Sequence, residues 1–132
     1  MAFGTKVVPG KDGVRMEFWV TNGSNAKLTG LNVQMCTMLA ELKGFAERSN
    51  DNKVLAKPFA ACRDQTGKRW IITGWEECAR AWGNPPCPCL HADPKLPDCP
   101  PAESRKIRGW LSFYEGPDID AELKRLSKTA LK

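Results

Sequence analysis

The sequence lacks an apolar run of the roughly 20 residues that a membrane-spanning helix needs, so we expect no membrane span. It also lacks a secretory signal, because its opening residues MAFGTKVVPGKDG have no apolar central segment. If the protein is exported, its signal has been removed, or the chain is one domain of a longer protein. No internal repeat is visible, and the length of 132 residues predicts a single domain over residues 1–132.

Motifs of the common enzyme classes are also missing. The chain has no G-x-S-x-G, no H-E-x-x-H and no phosphate-binding loop. Its one histidine, His91, cannot build the multi-histidine sites of most catalytic zinc, copper or non-haem iron enzymes. His91 is the sole candidate catalytic base, since an imidazole titrates near neutral pH. The sequence therefore favours a binding protein over an enzyme.

Charge of one sign is not concentrated in any long stretch. The formal net charge is +5, but acidic and basic residues are interspersed. No recognised nucleic-acid-binding module is present. We therefore do not expect nucleic acid as a partner.

Alternation of apolar and polar residues predicts most of the secondary structure. Val14–Thr21 alternates throughout, which is typical of a half-buried strand. The same period predicts strands over residues 28–39 and 106–114. The half-apolar segment 69–75, which follows the turn DQTGK, predicts another strand, and residues 54–62 predict one with Pro58 at an edge or bulge. Residues 118–128 predict a helix with Asp118 as its N-cap. The predicted fold is an all-β antiparallel sandwich, Ig-like or jelly-roll, with a short C-terminal helix.

Cysteine and proline, in contrast, are abundant, with six of the first and ten of the second. Both are frequent in residues 79–104, which include the run NPPCPC. Proline has no amide donor and a fixed φ, so this run cannot continue a regular ladder. We therefore predict a long, cross-linked loop over residues 79–104.

The cysteines allow two interpretations. The favoured one is a set of disulfides, for example Cys87–Cys99, Cys62–Cys78 and Cys36–Cys89, in an oxidising extracellular or periplasmic compartment. The alternative is a zinc or other transition-metal site, in a small metal-dependent enzyme or metal-binding domain, made by Cys87, Cys89, His91 and Cys99. Thiolate and imidazole are the ligands that zinc prefers. The single residue between Cys87 and Cys89 is shorter than the usual spacing in zinc sites.

Aromatic and planar polar residues suggest a ligand surface. Trp19, Trp110, Arg108 and Tyr114 share the polar phase of their strands, and a tryptophan ring beside planar hydrogen-bonding groups suits a sugar ring. We therefore predict a bacterial extracellular module that binds a polysaccharide or another extracellular ligand and needs no cofactor. The candidate ligand residues are Trp19, Gln34, Trp75, Trp82, Arg108, Trp110 and Tyr114. Two alternatives remain: the tryptophans form a second small core, or the domain is structural and binds nothing.

Overall fold

The computed structural model describes residues 1–132 and contains nine β-strands and one α-helix. The chain is thus mainly antiparallel β with a short C-terminal helix, as predicted. The strands are β1 (Ala2–Pro9), β2 (Val14–Thr21), β3 (Cys36–Met38), β4 (Lys53–Ala56), β5 (Phe59–Arg63), β6 (Arg69–Trp75), β7 (Cys78–Trp82), β8 (Cys89–Pro94) and β9 (Ser104–Glu115). The helix α1 spans Ile119–Thr129.

Six strands form the larger sheet, in the order β1-β2-β9-β6-β5-β4, and every neighbouring pair is antiparallel. The interior strand β9 carries buried side chains on both faces of this sheet. Successive side chains of a strand point to opposite faces, so Ile107 joins one buried cluster and Trp110 joins the other.

A three-stranded sheet, in the order β3-β8-β7, covers the first face. Leu90 and Ala92 of β8 pack there with Ile71, Trp75 and Ile107 of the larger sheet. The structure therefore has two sheets around one core. The Ig-like or jelly-roll class stays a prediction.

Helix α1 covers the opposite face. Leu123 and Leu126 pack in the cluster that contains Trp70 and Trp110 of the larger sheet. Asp118 caps the helix, since its carboxylate accepts the Ala121 N–H at 2.9 Å. The predicted cap is confirmed, and the helix begins and ends within one residue of the predicted bounds. This helix is not long and apolar enough to cross a membrane.

The prediction of a long loop over residues 79–104 is wrong. Strand β8 lies within this range, and β7 overlaps its beginning. The prolines fall where a missing amide donor does little harm. Pro85 and Pro86 lie in the turn between the two strands, Pro88 precedes β8, and Pro94 is its last residue. Proline composition alone could not reveal that these positions avoid the ladder.

The alternation over residues 28–39 predicts one strand, but only Cys36–Met38 forms one. The earlier part runs beside residues 95–99 and pairs only at isolated bridges, Leu28 with Cys99 and Asn32 with Lys95. That partner segment contains Pro97 and cannot supply a continuous series of donors. Residues 54–62 likewise divide into the hairpin β4–β5 at Pro58.

Candidate metal centre

Three metal-ligating side chains converge on the small sheet. Cys36 of β3 lies directly opposite His91 of β8, and Cys89 is two residues before His91. The donor atoms of these three residues all lie within 4.8 Å of one another. Cys89 Sγ and His91 Nε2 are 3.3 Å apart. Because Leu90 and Ala92 face the core, alternation along β8 places Cys89 and His91 on the other face of this sheet.

Two further sulfur atoms border this group. Met38 Sδ lies 3.5 Å from Cys36 Sγ and 3.9 Å from Cys87 Sγ. Burial raises the pKa of Cys36, and the nearby Cys89 and Cys87 thiols raise it further. Burial and Cys89 likewise raise the pKa of Cys87. We call these five residues the sulfur–histidine cluster: Cys36, Met38, Cys87, Cys89 and His91.

The imidazole of His91 is fixed by an aromatic neighbour. The Trp82 ring stacks on it with centroids 4.0 Å apart and planes inclined by 20°. The Arg80 guanidinium lies over the Trp82 ring, 4.2 Å from its centroid. The side chain of His91 is only 3% exposed, so packing holds its Nε2 atom toward Cys89.

Asp93 lies behind the histidine. Its Oδ1 atom is 3.7 Å from His91 Nδ1 and accepts the Met35 N–H at 3.0 Å. Its Oδ2 atom accepts from Trp82 Nε1 at 2.7 Å and from Arg80 at 3.0 Å. A carboxylate behind the distal ring nitrogen is the usual support of a metal-bound histidine.

His91 is suited to bind a metal as a neutral imidazole. Burial lowers its pKa, while the Asp93 carboxylate partly opposes that shift. The net lowering leaves the ring uncharged at neutral pH, which is the form that ligates metals. His91 Nδ1 is buried and makes no hydrogen bond at its 3.7 Å distance from Asp93. A small rotation of the ring would supply that bond.

The cluster has a buried half and an exposed half. Cys89 and His91 are each 2% exposed. Met38 is 58% exposed, Cys36 is also exposed and Cys87 is half-buried. An ion can therefore enter from solvent on the side of Cys36, Met38 and Cys87 and reach the buried donors Cys89 and His91.

The other cysteines lie apart from this group, and all six are free thiols. Cys99, a ligand in the sequence-based hypothesis, is buried elsewhere with its Sγ 3.2 Å from the Glu103 carbonyl. Cys62 lies in the core, where burial raises its pKa to about 11. Cys78 is half-buried on β7. The predicted disulfides are absent, and Cys36 rather than Cys99 joins Cys89 and His91.

The predicted aromatic surface is divided. Trp75 and Trp110 are 1% and 6% exposed, so they are core residues and cannot present a ring to a ligand. Trp82 contacts His91, and Trp19 is half-buried on β2. Of the polar candidates, Gln34 is exposed, Arg108 is exposed and paired with Glu76, and Tyr114 packs beside α1 in the Trp110 cluster.

Comparison of this chain with protein-family models, curated proteins and solved structures finds no match. No relative assigns a role to the sulfur–histidine cluster. Its function is therefore inferred from the donor atoms and their surroundings.

Proposed function

We propose that this protein binds one zinc ion through Cys36, Cys87, Cys89 and His91. The observation that carries the proposal is the convergence of the Cys36, Cys89 and His91 donor atoms within 4.8 Å. Around a tetrahedral zinc ion, with bonds of about 2.3 Å to sulfur and about 2.0 Å to nitrogen, donor atoms lie roughly 3.5–3.8 Å apart. The 3.3 Å between Cys89 Sγ and His91 Nε2 needs only a slight adjustment to fit.

Charge also favours a cation at this position. Ionised thiols close together repel one another, which is why neighbouring thiols raise the pKa values of Cys36 and Cys87. A bound divalent ion removes that repulsion and takes the thiolate form of each ligand, with release of protons. Thiolates and a neutral imidazole are also a soft donor set, which selects zinc over calcium or magnesium.

The role we infer for the ion is binding and cross-linking rather than catalysis. Three thiolates and one imidazole complete a tetrahedron and leave no open position for a substrate or water. The ion would join the three-residue strand β3 to β8 and to the turn before it. Cys36 and Cys89 are distant in sequence, so this link would close a long segment of chain.

The direct test is titration of the reduced, metal-free protein with zinc, followed by calorimetry and elemental analysis. We expect about one equivalent of tightly bound zinc. At a free zinc concentration of about 100 times Kd, ligand binding should raise the free energy of unfolding by about 2.7 kcal/mol. A reduced protein that binds no zinc would contradict the proposal.

Cysteine variants identify the ligands. We expect Cys36→Ser to weaken zinc binding strongly, while Cys78→Ser, at a half-buried thiol outside the cluster, leaves it unchanged. Cys99→Ser separates the set proposed here from the one predicted by spacing and should also leave binding unchanged. Asp93→Asn should weaken binding by roughly 10–100-fold, since it alters the group that orients His91. Zinc binding by Cys36→Ser with wild-type affinity would exclude the proposed ligand set.

A second candidate function, binding of a glycan outside the cell, is favoured by the surroundings of Trp19. A Cβ atom on Gly4 would lie 2.5 Å from the Trp19 ring, so the indole packs directly against β1 at Gly4. Beside it is an open groove of about 470 Å³ lined by polar side chains that include Glu17, Ser104 and Lys106. A flat ring with a polar rim suits the apolar face and hydroxyl edge of a sugar.

Retention on insoluble polysaccharides tests this second candidate. We expect Trp19→Ala to lose retention and Phe113→Ala, at an exposed aromatic residue of β9, to keep it. Thermal unfolding of both variants checks that they are folded. Equal retention of Trp19→Ala and wild type would exclude Trp19 as the binding residue.

A further inference from the structure

Met38 is an unusual neighbour for a zinc site. Its side chain is 58% exposed, so it contributes little to the core. It lies on β3, two residues after Cys36 and opposite Cys89, and its sulfur is 3.5 Å from Cys36 Sγ and 3.9 Å from Cys87 Sγ. A thioether carries no charge and is a poor ligand for zinc, whereas soft monovalent ions accept it readily.

We propose that the outer half of the cluster binds a soft monovalent ion of the Cu(I) class, with Met38, Cys36 and Cys87 as its ligands. This inference rests on the proposed metal-binding function, because Cys36 and Cys87 belong to both donor sets. It adds the class of ion and a ligand that zinc binding does not require.

The separations of the sulfur atoms suit a three-coordinate ion. Three sulfur atoms about 2.3 Å from one central ion lie about 4.0 Å from one another, if the sulfur–zinc distance is taken as a guide. The two separations that involve Met38 are 3.5 and 3.9 Å. Met38 Sδ therefore already lies at the separation from each thiol sulfur that a shared ion requires.

Charge and access agree with this assignment. Two thiolates and one thioether around a singly charged ion leave one net negative charge, and Arg48 lies near enough to Cys87 to lower that thiol's pKa in part. Cys36 and Met38 are both exposed. The ion can therefore enter without any opening of the small sheet.

The test uses Ag(I) as a redox-inert probe of the same class, added to the reduced protein in a chloride-free buffer. We expect Met38→Leu to lower the affinity for Ag(I) by about tenfold or more, while the affinity for zinc changes by less than about twofold. Met16→Leu, at a half-buried methionine of β2, is the matched control and should change neither affinity. In the wild-type protein, Ag(I) should shift the NMR signal of the Met38 methyl group, and by more than zinc does.

The outcomes separate this inference from the zinc proposal. Wild-type Ag(I) affinity in Met38→Leu, or an unshifted Met38 methyl signal, overturns the inference and leaves zinc binding to its own test. A Met38-dependent Ag(I) site in a protein that binds no zinc supports the inference and overturns the zinc proposal. Absence of binding by either ion overturns both.

Discussion

The two faces of the six-stranded sheet are covered in different ways. On the α1 face, apolar side chains such as Leu123 and Leu126 pack on Trp70 and Trp110. On the other face, the small sheet shares a core with the large one, but its outer side collects thiols, a thioether, an imidazole and a carboxylate. The α1 face is held by apolar packing, whereas the small sheet also carries donor atoms that can bind a metal ion.

The buried carboxylates illustrate the same difference. Asp64, in the turn between β5 and β6, accepts hydrogen bonds from Thr66 and Arg69 and holds that turn. Asp93 accepts hydrogen bonds from Arg80, Trp82 and the Met35 N–H, and it also lies 3.7 Å from His91 Nδ1. One carboxylate stabilises a turn, and the other lies behind the side chain that we propose as a metal ligand.

The largest effect should come from the α1 face. Leu126 is 1% exposed, and Leu126→Ala removes buried apolar volume, so we expect a loss of about 2–5 kcal/mol in the free energy of unfolding. Denaturant unfolding in the presence of a chelator measures that loss. Zinc titration of the folded variant should still give wild-type stoichiometry, because the cluster lies on the opposite side of the large sheet.

The exposed helix position Lys124→Ala is the control for Leu126→Ala and should change stability little. If Leu126→Ala remains folded yet loses zinc binding, the two faces are coupled. The view that the α1 face is structural and the small-sheet face binds metal independently of it would then be wrong.

A smaller effect should come from acid. Burial alone would raise the pKa of Asp64, but bonds from Arg69 and Thr66 outweigh it and lower that pKa to about 2. A lowered pKa in the folded state means that the ionised carboxylate stabilises the fold above its unfolded pKa of about 3.9. This contribution should be lost as the pH falls from about 4 to about 2.

Urea unfolding with a chelator present, measured across that pH range, tests Asp64 without a contribution from metal. Asp64→Asn should reduce the pH dependence, whereas Asp51→Asn, at an exposed loop carboxylate, should retain it. An unchanged pH profile in Asp64→Asn would assign the acid sensitivity to other groups.

How much the sequence could predict differs between these faces. Period-two alternation correctly located β2 and β9, the apolar segment after the turn DQTGK located β6, and the cap at Asp118 located α1, because these features depend on local sequence. The cysteine and proline content of residues 79–104 concealed β7 and β8, since only the pairing partner decides which amides must donate.

The cluster itself was predicted in part. Proximity in sequence groups Cys87, Cys89 and His91 as candidate ligands, and it adds Cys99, which the structure places elsewhere. Cys36 joins them only through the pairing of β3 with β8, and local sequence carries no record of that pairing. Met38 had no signal of its own, because an alternating strand pattern does not distinguish a ligand from an exposed methionine.

The smallest expected effect is at the N-terminus of α1. Asp118→Ala removes the carboxylate that accepts the Ala121 N–H at 2.9 Å, and loss of such a cap costs about 1 kcal/mol. Asp120→Ala is the matched control, because Asp120 lies in the same first turn without that bond. Denaturant unfolding compares the two, and zinc binding should be unchanged in both. An equal loss in both variants would point to the helix dipole rather than the cap, because both carboxylates lie near the positive end of the helix.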